Sequence, residues 1–286
     1  MPQWYASVRA QTDQDYQLWI GIDTIAVDTV KDAMGADPNA IWVSGASGDT
    51  PAQVRQRALE AISEVCDGVV LVDSDDILHP SRVIAARVAL HVSDLAGCAV
   101  RLVDHRGRDL ALTMELPSRT GPEDVLPRNN VFGFSNSAFR SDLLRRCLPI
   151  PADVVLVDWF LATRAWLVGA KLAFDSEVRM DYRQYGANMA RVVFPYSAEQ
   201  VIQDTERVRH HFQVLQTNPM AGAIAERFSS IERIARDVET FYEQIVRQPM
   251  PLERYVQALN RLQLAPLWWA SVAHPLLKQM WAPTGR

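Results

Sequence analysis

Cysteine is scarce in this chain. Cys66, Cys98 and Cys147 are three thiols in 286 residues, too few and too scattered for a disulfide framework or a zinc motif, so each reads as a small buried residue of a reducing compartment. Positive charge is not in surplus either: 29 Lys and Arg against 34 Asp and Glu leave a net charge of −5, which argues against general nucleic-acid binding, since that needs a basic surface. No apolar run reaches the length of a membrane span; the most apolar stretch, residues 262–281, is broken by Pro266, His274, Pro275 and Lys278. The start, Met1-Pro2-Gln3-Trp4, has neither the basic nor the apolar region of a signal peptide. A glycine-rich phosphate loop with a basic residue is also missing near the N-terminus, which disfavours a nucleotidyltransferase. Together these absences predict a cytoplasmic protein.

The hydrophobic fraction of 48% is enough for a full core. Over residues 1–195 strand-like and helix-like patterns alternate, which predicts an α/β fold with a mixed, mainly parallel sheet flanked by helices. Strands are expected at 16–22, 40–43, 68–72, 99–103, 110–115, 131–140, 171–174 and 178–182. Helices are expected at 4–11, at 24–34 with Thr24 as its cap, from Pro51 to about residue 65 with Thr50 as its cap, at 79–90 and at 154–168. The run Gly68-Val69-Val70-Leu71-Val72 has no alternation, as expected for a central strand covered on both faces. After Pro195 the strand signals stop, and residues 196–286 read as a C-terminal helical region, with Val201, Val208, Phe212 and Leu215 on one face.

The run ends in Asp73-Ser74-Asp75-Asp76. Ligands of open α/β sheets bind at the carboxyl ends of strands. Carboxylates aimed at one point repel unless a cation or hydrogen-bond donors satisfy them. Hard divalent ions such as Mg2+ or Mn2+ take oxygen ligands and share them with substrate phosphates. Spacing alone fits a solvated acidic turn that caps the next helix equally well.

Further blocks carry the reading beyond spacing. Residues 69–80, Val-Val-Leu-Val-Asp-Ser-Asp-Asp-Ile-Leu-His-Pro, resemble the strand, Asp-x-Asp-Asp and Pro block of family 2 glycosyltransferases with the GT-A fold. The segment Ser7 to Thr12, the strand ending at Asp23, Arg55-Gln56-Arg57-Ala58-Leu59, the block from Asn130 to Arg140, Val157-Asp158-Trp159 and Tyr182-Arg183-Gln184-Tyr185-Gly186-Ala187-Asn188 resemble that family's other blocks, in the family's order. The resemblance implies a nucleotide-sugar donor of UDP, GDP or dTDP type and a divalent metal. It implies that Asp75 ligates the metal, that Asp73 shares it or binds the ribose, and that Asp23 and Arg55 contact the donor. Asp158 becomes the general base of an inverting transfer, held ionised at a helix N-terminus, with Asn136, Trp159 and Arg183 on the acceptor side. The acceptor would be a glycan, a lipid-linked glycan or a small molecule.

Two departures qualify the resemblance. The family's opening strand has no counterpart before the first helix, so its neighbours are expected to lack a partner. Tyr185 stands where relatives carry a metal-binding His, and a phenol with a reference pKa of about 10 is a poor ligand. The alternative reading is therefore a catalytically degenerate GT-A-like binding or assembly module. Trp268, Trp269 and Trp281 are expected to pack on the domain or on a sister subunit in a homo-oligomer. A peripheral anchor at the inner membrane face is the competing expectation for them.

Overall fold

The computed structural model describes residues 1–185, 192, 194–262 and 265–282. Gly186, Ala187 and Asn188 of the last block, and Leu264 beside the tryptophans, lie outside the described residues.

The first elements follow their local signals. Helix α1 (Pro2–Arg9) leads to strand β1 (Leu18–Ile22). Helix α2 (Val27–Met34) stops at Gly35, whose φ of 67° is open to glycine at little cost. Thr24 does not cap it; the N-cap is Ala26, and the Thr24 N–H instead donates to Asp23 Oδ1 at 2.7 Å. Strand β2 (Ala40–Ser44) precedes α3 (Pro51–Ser63), which starts with Pro51 and a reciprocal Thr50–Gln53 capping box. Strands β3 (Gly68–Val70) and β4 (Ile77–Leu78) flank the acidic turn, and α4 (Arg82–Leu90) follows.

Strands β5 (Leu95–Asp104) and β6 (Asp109–Met114) form the expected hairpin. The chain continues through α5 (Pro122–Val125), β7 (Ser137–Arg140), α6 (Ser141–Cys147), α7 (Val157–Leu167) and β8 (Leu172–Gln184). Strand β8 merges the two short strands expected at 171–182. Helices α8 (Ala198–Thr217), α9 (Ala225–Phe241), α10 (Pro249–Asn260) and the short α11 (Lys278–Trp281) complete the chain. Among the described residues no helix is long and apolar enough to cross a membrane.

The result is the expected mixed α/β architecture, but its sheet is divided. One sheet runs β3-β7-β5-β8-β4 with β6 on β5; β1 and β2 form a separate parallel pair. Parallel pairing is confined to β1–β2 and β5–β8, and the other ladders are antiparallel. The centre belongs to β5, flanked by β7 and β8 and buried nearly throughout. The run 68–72, expected to be central, lies at the end of the larger sheet. Its ladder closes at Val70, although Leu71 N still donates to Ser137 O at 3.0 Å. One side of β1 and one side of β3 thus have no strand partner among the described residues.

The C-terminal helices share one apolar core with the sheet layer. Trp159 of α7 stacks on His211 of α8 with centroids 4.1 Å apart, and Trp269 lies beyond at 6.4 Å. Burial holds the His211 imidazole down to about 3, so it packs as a neutral ring.

Candidate donor and acceptor site

The acidic turn is built as a small cage. Asp73 N donates to Ser135 Oγ at 2.9 Å, which ties the end of the β3 segment to the loop before β7. Asp76 is turned inward at 1% exposure and accepts the Arg183 N–H at 3.0 Å. Burial pushes its carboxyl up to about 8. Arg183 fastens the turn from outside: its Nε donates to Asp75 O at 2.9 Å and its Nη2 to Gln3 Oε1 at 2.9 Å. This leaves Asp75 as the outward carboxylate, and Tyr185 OH donates to its Oδ2 at 2.6 Å.

Helix α3 brings Arg55 to this turn. Its Nη2 donates to Asp73 Oδ1 at 2.9 Å, and its guanidinium sits 4.6 Å from the Phe134 ring centroid. Arg55 and Asp73 share a cavity of about 140 Å³ with Asn136, Asp158, Tyr182 and Trp268. Asp158, in the first turn of α7, is half-buried there. Its Oδ2 accepts from Asn130 Nδ2 at 3.0 Å and its Oδ1 from the Trp159 N–H at 2.8 Å. The helix N-terminus was expected to keep this acid strongly ionised. The outcome is the reverse: burial outweighs the Trp159 N–H and the nearby Arg55, and the carboxyl is pushed up to about 6.

Several other expectations change with geometry. Trp159 is fully buried and its Nε1 donates to Leu126 O at 3.1 Å, so it supports α7 and cannot touch an acceptor. Arg183 fastens the acidic turn and does not line the Asp158 cavity. Asn136 does line it, but its amide nitrogen is committed to Cys98 O at 2.7 Å and Val131 O at 3.1 Å. Asp23 is exposed and borders a second, larger cavity together with Arg55 and Asp73. Asp75 lines neither cavity.

Three further residues contribute to the site. Asn130 begins the segment 130–140, yet its hold on Asp158 depends on a fold that joins positions 28 residues apart. For Trp268 and Trp269 the sequence predicts packing or anchoring alone. They are buried, as is Trp281, which rules out a surface anchor made of these rings, and the first two wall the Asp158 cavity. Their loop is held by Ser271 Oγ donating to Asp204 Oδ2 at 2.7 Å and Tyr255 OH donating to Ser271 O at 3.0 Å.

Among the described residues no group of three or more His, Cys, Asp or Glu side chains is gathered as a metal site. Asp75 supplies one oxygen-donor carboxylate, and Asp73 is neutralised by Arg55. That set fits a divalent ion only if substrate phosphates supply most of its ligands, which is usual for Mg2+ in phosphate sites.

No protein-family model matches the chain, and no curated protein sequence is similar to it. Solved structures are. A mannosyltransferase from Pyrobaculum calidifontis in complex with GDP-Man and Mn2+ aligns with a TM-score of 0.54 and 14% identity, over 91% of this chain and 70% of that one. S. aureus TarS 1–349 in complex with UDP-GlcNAc aligns with a TM-score of 0.53 and 15% identity, over 90% of this chain and 86% of that one. At such identities the likeness is one of fold.

Proposed function

We propose that this protein is an inverting, metal-assisted glycosyltransferase of the GT-A type, moving a sugar from a nucleotide-diphosphate donor to an acceptor hydroxyl. One observation carries the reading. Asp158, whose carboxyl is pushed up to about 6, lies in one cavity with the Arg55–Asp73 pair that ends a strand. The fold shared with proteins solved with GDP-Man and UDP-GlcNAc supports it.

In this reading residues 1–195 bind both substrates, and residues 196–286 close the acceptor side through Trp268 and Trp269. Asp23 and Arg55 receive the nucleotide, and Asp73 orients Arg55 or the ribose. Asp75 would hold the Mn2+ or Mg2+, releasing its hydrogen bond from Tyr185 to do so. When bound, such an ion offsets negative charge gathering on the departing diphosphate. Asp158 takes the acceptor hydroxyl proton while that oxygen bonds to the anomeric carbon. The bond to the diphosphate breaks with its electron pair leaving on the phosphate oxygen. A base that titrates near the working pH is well matched to this task. Phe134, Tyr182 and Trp268 keep water from the reacting carbon.

The test is a thermal-shift panel of UDP, GDP and dTDP and their sugars with and without Mn2+, followed by product analysis with the donor that binds. Stabilisation by one nucleotide class and turnover lost in Asp158→Asn are expected. Indifference to every nucleotide sugar would sink the reading. Donor binding without any product would favour instead the module that binds and does not turn over. The Arg55–Asp73 and Tyr185–Asp75 pairs that satisfy both acidic groups favour that alternative.

A further inference from the structure

The cavity around Asp158 has a volume of about 140 Å³. A dry apolar cavity of about 150 Å³ takes one benzene-sized ring. Val155, 40% exposed, marks its mouth. Much of its wall is aromatic: Phe134, Tyr182, Trp268 and Trp269 line it, and Tyr182 stands edge-to-face with Trp268 at 5.6 Å between centroids. Aromatic faces carry partial negative charge and take the weakly positive C–H groups of a ring lying on them.

This wall is held in place at a conformational cost. Trp269 has a φ of 63°, in the left-handed region that a bulky side chain rarely enters. Such a backbone persists only where its surroundings fix it. Here the carboxylate of Asp204, 3% exposed in α8, accepts from Ser271, and Tyr255 holds the Ser271 carbonyl. The same helix packs His211 on Trp159, behind Asp158. One helix therefore braces both the aromatic wall and the acidic end of the cavity.

The polar atoms say what kind of ring fits. Arg55 is the one cation among the lining residues, and it is committed to Asp73. Asp158 adds a second carboxylate. Asn136 gives its Nδ2 hydrogens to Cys98 O and Val131 O, which fixes the orientation of the amide. Its Oδ1 is left as a buried acceptor with no donor among the described residues. Such an acceptor carries a desolvation cost that a ligand O–H removes. The cavity thus offers acceptors and an excess of negative charge. An ionised phosphate or carboxylate brings more of both, whereas a neutral ring bearing hydroxyls brings donors and C–H faces.

Resting on the glycosyltransferase reading, we propose that this cavity is an acceptor subsite for one neutral, unphosphorylated sugar ring. The ring lies on Trp268, presents its attacking hydroxyl to Asp158 and donates a second hydroxyl to Asn136 Oδ1. Asn136 and Trp268 then select the acceptor, and the Ser271–Asp204 contact keeps Trp268 in position.

The test uses methyl glycosides of glucose, galactose and mannose, with the 6-phosphate and the uronate of each as charged counterparts. Saturation-transfer NMR on the full chain measures binding without any donor. Product formation, with the nucleotide sugar that binds, measures transfer. At least one neutral glycoside is expected to bind and to be used, and its charged counterparts to fall by about tenfold or more, since like charges in one site repel. Replacing one hydroxyl other than the attacking one by fluorine, which cannot donate, is expected to cost about tenfold in kcat/KM. In Asn136→Ala the parent glycoside should lose that factor and the fluoro analogue nothing further. The fluoro series on the unaltered chain keeps the test decisive if this variant does not fold. Trp268→Ala should raise KM for the glycoside by about tenfold and Trp268→Phe should restore much of it, with nucleotide affinity by calorimetry keeping its value in both. Charged counterparts used as well as neutral ones, a flat fluoro series, or an acceptor KM untouched by Trp268→Ala would each overturn the subsite. Absence of glycoside binding overturns it as well, and nucleotide binding in that same chain leaves the transferase reading standing. Glycoside binding that is lost in Trp268→Ala, in a chain indifferent to every nucleotide sugar, upholds the ring site and removes the transferase reading alone.

Discussion

At the scale of single residues, the site turns on how burial sets the charge of Asp158. Its carboxyl, pushed up to about 6, is half protonated near that pH. A base must be ionised, so kcat/KM is expected to fall as pH drops through about 6 and to level off above it; a rate profile from pH 4 to 9 checks this. The same shift has a stability consequence of known sign. The folded state holds the proton more tightly than the unfolded one, so this group's contribution is fully present below about pH 4 and is lost as pH rises through about 6. Asp158→Asn should remove that slope and cut turnover by about 10²–10⁴-fold while donor affinity by calorimetry stays near its original value.

Asn130→Ala should act through Asp158. Without the donor at 3.0 Å the carboxylate is less well held, so the acid limb of the profile moves to higher pH and kcat falls, with the donor dissociation constant little changed. An unmoved limb would leave Asn130 a purely structural residue. Asp75→Ala is expected to abolish Mn2+-dependent nucleotide binding with the melting temperature preserved, because its side chain accepts from exposed Tyr185 and not from the core. Full nucleotide affinity in that variant would remove Asp75 from the metal role.

At the scale of elements, the pocket is an agreement between the loop before β7 and the loop after α10. A Cβ on Gly133 would lie 2.5 Å from the Trp268 ring, so this glycine is where the two loops meet. Gly133→Ala must push the indole away or shift the backbone, at a cost of about 1–3 kcal/mol. The expected readouts are a lower melting temperature and a raised KM for acceptor, with KM for donor affected less. Legibility also divides at this scale. Helix α3 was readable because Thr50, Pro51 and Gln53 are neighbours whose capping chemistry is complete within one turn. The position of β3 was not, since an apolar run shows burial on both faces without showing which strands supply it.

At the scale of the whole molecule, residues 1–195 and 196–286 look separate in sequence pattern yet share one apolar core. Val201, Val208 and Phe212 of α8 are buried, and His211 covers the face of Trp159, directly behind Asp158. A chain cut after Pro195 would expose that surface. It is expected to show lost near-ultraviolet circular dichroism and aggregation, and a soluble, cooperatively melting product would show instead that the first part folds alone.

What the sequence by itself determined is local. Alternation, helix period and caps are written within windows of a few residues, and they were enough for the α/β class and most helices; the candidacy of Arg55, Asp73, Asp75 and Asp158 rests on the resemblance to family 2 glycosyltransferases. Tertiary structure alone decided which of those groups meet. Arg55 and Asp73 pair across 18 positions, and Asn130 and Asp158 across 28. Trp268 comes to Gly133 from the far end of the chain. It also decided that Asp158 is held up to about 6, that Trp159 is sealed away, and that β1 and β3 stand apart. The physical reason is that burial, charge state and strand neighbourhood belong to the surroundings of a residue. Those surroundings are assembled from distant segments by packing that no short window records.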